Sequence, residues 1–165
     1  MIIFGPGVAE TVADSARTSL DREIEQLRAE GRLEAGKKTL EGLRWTPGRL
    51  KLPEALRRYG LRKNIDLSPL TALGIDTNNI AKEDIKWTGP VVYADVRSDP
   101  LKYSSSAAGG GIFGILALGN LPLPEIGDSG SKEIQSGSVA YFRDSDPVVY
   151  RSCGGGRGIL FYISL

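Results

Sequence analysis

At least twelve of the chain's 21 glycines fall between Gly109 and Gly158, separated by short runs of strand-forming residues. Glycine is unfavourable inside a helix and free of steric penalty where a chain reverses, so this half must be built from brief extended segments. Those segments are Val91-Val92-Tyr93, Ile112 to Leu118, Val139 to Phe142, Val148 to Tyr150 and Ile159 to Leu165. Runs of β-branched and aromatic residues bounded by Gly, Pro, Ser and Asp predict an antiparallel sheet, sandwich or small barrel.

Within this region one word recurs. "GGGIFGIL" starts at Gly109 and "GGGRGILF" at Gly154, and Pro90-Val91-Val92-Tyr93 and Pro147-Val148-Val149-Tyr150 precede them. The second copy reads as strand, glycine loop, strand. The first reads as the same hairpin with an inserted loop, "VRSDPLKYSSSAA". On that reading Val91 to Tyr93 pairs with Ile112 to Leu118, and Val148 to Tyr150 pairs with Ile159 to Ile163. The glycines are expected to serve as turns, because few other residues accept left-handed dihedrals.

Upstream the texture changes. Val8, Val12, Ala16, Leu20, Ile24 and Leu27 recur every three or four positions, with Asp14, Arg17, Asp21, Arg22, Glu25 and Arg28 on the other faces. This period predicts an amphipathic helix from about Val8 to Glu30, docked on its own domain by a narrow apolar stripe. From Gly36 to Pro90 the chain is cut by Pro47, Pro53 and Pro69 and by Gly42, Gly48, Gly60 and Gly74. Short helices are expected at "LPEALRRYG" and at "SPLTALG", the latter capped by Ser68 with Pro69 in the first helical position. The expected fold is therefore α+β. A helical segment (1–35) and an extended basic arm (36–88) precede a compact antiparallel β-domain (89–165).

Several chemistries are excluded by composition. The chain has no histidine, which removes Ser-His-Asp triads, Cys-His dyads and the common histidine-containing zinc sites. Cys153 is the single cysteine, so no internal disulfide forms. Without a histidine to activate it, the thiol is expected to be inert. No cofactor and no metal site is expected. The apolar stretch Ala107 to Pro124 is too interrupted by Gly and Pro to span a bilayer, and "MIIFGPGVAE" lacks the basic and apolar regions of a secretory signal. An intracellular or particle-associated location is expected.

Charge is unevenly distributed. Glu10 to Glu34 carries seven acids and four bases, whereas Lys37 to Lys63 carries nine bases against two acids. Arg44, Trp45, Arg49, Lys51, Arg57, Arg58, Tyr59, Arg62 and Lys63 form a basic, aromatic-interleaved surface. Such a surface suits phosphate or acidic protein. With no nucleic-acid motif present, protein subunits, including further copies of this chain, are the expected partners ahead of nucleic acid. GGGRG could cradle an anion with Arg157 adding charge, but the expected strand after it favours a tight turn. Ser104 to Leu118 is expected to be core strand rather than a membrane-inserting loop. The carboxylate pairs Glu83/Asp84 and Asp144/Asp146 suit helix starts and turns better than acid-base chemistry. By elimination the chain reads as a non-catalytic structural subunit of a virus or phage particle, with the ordered arm and the helix making its subunit contacts. A small enzyme or toxin domain acting through carboxylates or Cys153 is the alternative, and a membrane-active protein using 104–118 a further one.

Overall fold

The computed structural model describes residues 1–30, 64–92, 101–103, 110–123, 125–126, 132–145, 148–151 and 156–165. The fold they form is α+β, one helix with an antiparallel sheet of five strands. Strand β1 (Ile2–Pro6) leads into helix α1 (Glu10–Ala29). Three short 3-10 helices follow at Ser68–Leu73, Thr77–Asn79 and Lys82–Asp84. The remaining strands are β2 (Ile85–Val92), β3 (Leu101–Tyr103), β4 (Gly111–Leu118), β5 (Leu121–Leu123), β6 (Glu125–Ile126), β7 (Lys132–Ile134), β8 (Ser138–Arg143), β9 (Val148–Arg151) and β10 (Arg157–Ser164). The main sheet has the order β1-β8-β4-β10-β2, accompanied by β3-β9-β6 and by the pair β5-β7.

Strand alternation divides the core in two. On one face of the main sheet, Ile112, Leu116, Leu118, Val139, Tyr141, Ile159, Phe161 and Ile163 pack against Ala13, Ala16, Leu20 and Ile24 of α1 and against Ile65, Leu70 and Ile85. On the other, Phe113, Ile115, Ala117, Ala140 and Phe142 meet Leu121 of β5 and Ile134 of β7. The helix docks through the stripe that its period predicts, because only that stripe is apolar. β4 is buried at every position, as a central strand covered on both faces must be.

The expected hairpin repeat is corrected by the ladders. Val91 and Val92 lie in β2, which pairs with β10, while β9 pairs with β3 and β6 in a separate sheet. The two "GIL" strands instead pair with each other, β4 against β10, from Arg157↔Leu118 to Ser164↔Gly111. Two glycines of the first copy are there for space rather than for turning. Phe161 stands directly across from Gly114, and a side chain at Gly114 would collide with its ring. A side chain at Gly111 would collide likewise with the ring of Tyr162.

The segment between α1 and β2 also departs from expectation where it is described. Residues 64–84 do not run as an extended arm: Ile65 and Leu70 are buried in the core of their own chain, with Leu67, Leu73, Ile75 and Ile80 packed against it. Ser68 does not cap the first 3-10 helix. Asp66 does part of that work, its Oδ1 accepting from the Ser68 N–H at 2.8 Å, and Gly74 closes the helix in a left-handed conformation. Among the described residues no helix is long and apolar enough to cross a membrane.

Candidate functional site

Asp14, Arg17 and Asp21 are spaced by three and four residues, so the helical repeat sets them in one row along α1. This row faces the ends of strands: the β4–β5 turn at Gly119 and Asn120, the β7–β8 turn at Ser136 and Gly137, and Arg157 at the start of β10.

Gly137 holds the arrangement together. Its carbonyl accepts from the N–H groups of Gly7 (3.0 Å) and Val8 (2.8 Å), and its own N–H donates to Ala117 at 3.0 Å. With φ at +83° and the Val8 carbonyl where a side chain would stand, only glycine fits. The helix entry is thereby fastened to both strand turns.

Ser136, just before it in the chain, makes three hydrogen bonds of its own. Its Oγ donates to Asp14 Oδ1 at 2.5 Å and accepts from the Gly119 N–H at 3.0 Å, and its own N–H donates to Asn120 Oδ1 at 3.1 Å. A hydroxyl that donates to a carboxylate oxygen is aligned to pass its proton there. Beside it, Asp21 is shared by two arginines. Arg157 Nε donates to Asp21 Oδ1 at 2.7 Å, and Arg17 Nε lies 3.5 Å from Asp21 Oδ2. Arg157 also donates from Nη1 to the Gly156 carbonyl at 2.9 Å. The side chain of Arg157 is 19% exposed, against 39% for Arg17 and 40% for Asp21. Arg17 lies over Gly119, where any side chain would collide with its guanidinium. The cluster thus contains a carboxylate-bonded hydroxyl and a guanidinium pair side by side at the rim of the sheet.

The sequence-derived candidates fall elsewhere. Arg44, Trp45, Arg49, Lys51, Arg57, Arg58, Tyr59, Arg62, Lys63, Cys153 and Asp146 lie outside the described residues. Asp84 is structural: its Oδ2 accepts from the Ala81 N–H at 2.9 Å and caps a 3-10 helix, with Glu83 exposed beside it. Asp144 accepts from the Tyr162 hydroxyl at 3.2 Å, at the opposite end of β10 from Arg157. Arg157 engages Asp21 instead of supplying charge to a glycine nest. Gly111 to Leu118, from the stretch weighed as a membrane-inserting loop, is the buried strand β4.

A buried polar link lies between the sheet and the segment before it. The Tyr141 hydroxyl donates to the Asp66 carbonyl at 2.8 Å. Burial, with the Asp66 carboxylate adding to it, pushes the Tyr141 phenol well above the ordinary tyrosine range.

No family model and no curated protein matches this chain. Among solved structures it is similar to AviO1 from Streptomyces viridochromogenes Tue57, with 13% identity over 99% of this chain and 90% of that one and a TM-score of 0.49. It is also similar to a Pseudomonas putida prolyl-4-hydroxylase, with 16% identity over 99% of this chain and 91% of that one and a TM-score of 0.49. The expected identity as a non-catalytic structural subunit of a virus or phage particle finds no support in these comparisons and is set aside. The packing removes the motive for that expectation too, because the described part of the supposed arm buries its leucines on its own sheet. Likeness this loose assigns neither a reaction nor a substrate to this chain.

Proposed function

We propose that the chain is a small enzyme domain acting through carboxylates, with Ser136 as nucleophile and Asp14 as its general base in ester hydrolysis. The observation that carries this reading is the hydrogen bond from Ser136 Oγ to Asp14 Oδ1, made between groups 122 residues apart. As Oγ attacks the ester carbonyl, its proton passes to Asp14, which hands it to the departing alkoxide so that the alcohol leaves and Asp14 is again a carboxylate. Water then attacks the acyl-serine, Asp14 taking its proton and returning it to Ser136 Oγ as the carboxylic acid departs. The Gly119 N–H, donating to the same oxygen at 3.0 Å, fixes the orientation of the hydroxyl toward Asp14. General-base assistance of this kind contributes about 10²- to 10⁴-fold. The finer architecture belongs to the same proposal: β5 and β7 begin a second layer that makes the fold a sandwich, supported by Leu121 and Ile134 packing on the sheet face opposite α1.

The test is acylation by p-nitrophenyl acetate, followed by peptide mass spectrometry. Acyl adduct is expected on Ser136, with Asp14→Asn slowing its formation at least about 100-fold. An unmodified Ser136, or equal rates in Asp14→Asn and the parent protein, overturns the reading.

A further inference from the structure

The guanidinium pair beside Ser136 is not needed for proton transfer, and among the described residues its bonding is incomplete. A guanidinium has five N–H donors in a planar fork that matches carboxylate and phosphate. Arg157 directs Nε to Asp21 and Nη1 to the Gly156 carbonyl; Arg17 directs Nε to Asp21 at the longer distance of 3.5 Å. Among the described residues, the other donors of both arginines meet no acceptor. Two cations therefore share one half-exposed carboxylate.

Their position relative to the hydroxyl is set by the helix. Arg17 is three residues beyond Asp14, about 4.5 Å along the axis, and Asp21 about 6 Å further. A group bound at the two arginines would thus sit roughly one helical turn from Asp14 and its bonded Ser136. Arg157, less exposed than Arg17, forms the fixed wall of this subsite, and Arg17 its outer side.

We propose that Arg17 and Arg157 form an oxyanion-binding subsite, that Asp21 is its resident counterion, and that the substrate is an ester carrying a carboxylate or phosphate about one helical turn from its scissile bond. The substrate class rests on the reading of Ser136 and Asp14 as reacting groups; the subsite does not. On binding, the substrate anion takes up donors that Asp21 leaves open and competes with Asp21 for those that it holds.

Titration of the full chain with inorganic phosphate and, separately, with succinate, followed through the arginine Nε–H resonances, tests this. Saturable shifts are expected with at least one of the two anions, and the one that binds more tightly identifies the anionic group. Ser136→Ala is expected to keep this binding while losing acylation, whereas Arg157→Ala is expected to abolish it. Arg17→Gln, on the half-exposed helix face, is expected to weaken it and serves the same purpose if Arg157→Ala does not fold. Asp21→Asn is expected to tighten binding roughly two- to fivefold by removing the competing charge. A purely structural clamp would show no such gain. Absence of saturable binding in both the parent protein and Asp21→Asn, or binding unchanged in both arginine variants, overturns the subsite. Anion binding without acylation of Ser136 overturns the enzyme reading and leaves the subsite standing.

Discussion

Gly110 and Gly114 belong to one glycine-rich word and do different work. Gly110 has φ at +72° with open space around it, so Gly110→Ala meets only backbone strain, about 1 kcal/mol. Gly114 has no special dihedral, but the Phe161 ring occupies the place of its side chain within a fully buried strand. Gly114→Ala must displace that ring and is expected to cost about 1–3 kcal/mol, as overpacking in a tight core does. Urea unfolding of the two variants checks the order; a larger loss for Gly110→Ala would mean that the ring can move aside freely. Of the cluster at the sheet's rim, Asp14, Arg17 and Asp21 are legible in sequence as one polar face of a helix. Their partners are not, because Ser136 and Arg157 stand 122 and 136 residues away from Asp14 and Asp21. No local spacing encodes such contacts.

At the level of elements, the short helices before β2 act as a brace on the sheet. Leu70, fully buried in the helix-side core, is expected to cost about 2–5 kcal/mol when changed to Ala, measured by thermal or urea unfolding. The bond from Tyr141 to the Asp66 carbonyl ties this brace to β8. Tyr141→Phe is expected to lose about 0.5–1.5 kcal/mol, the net value of one hydrogen bond. The same phenol gives a pH dependence. Its pKa is raised on folding, so its contribution is complete below the unfolded value near pH 10 and declines as pH rises from there through the raised folded value. Absorbance titration at 295 nm is expected to show one tyrosine ionising later than the others, and Tyr141→Phe to remove that late step. The helix α1 was legible from its period, and the Ser68 turn from its Pro and Gly. That Asp66 takes over the bonding expected of Ser68 depends on where the turn is anchored in space.

Across the whole molecule, the three stretches that differ in texture along the chain meet in one core. β1 lies on one edge of the main sheet and β2 on the other, while α1, Ile65 and Leu70 cover the face shared by β4, β8 and β10. A fragment of residues 89–165 therefore loses an edge strand, most of the helix-side cover and the first part of β2. It is expected to be unfolded or aggregated, shown by loss of dispersion in its amide NMR spectrum. A well-dispersed spectrum from that fragment would mean that the C-terminal strands hold together without α1 and β1.

What the sequence determined by itself is local: a helix from a period of three to four, strands from β-branched and aromatic runs, turns from Gly and Pro, and the exclusion of histidine chemistry. These follow from the conformational preferences of neighbouring residues, which act over a few positions. Strand partners are chosen by burial instead. The two "GIL" runs are alike because both must line the centre of one sheet, and that likeness resembles a repeat until the ladder shows them lying side by side. Phe161 needs an empty place across the ladder, and Gly114 provides it. Likewise the polar row on α1 becomes a candidate site only when packing of its apolar face sets that row against Ser136 and Arg157. The free energy that decides this is spread over buried contacts distant in sequence, so only the tertiary structure contains it.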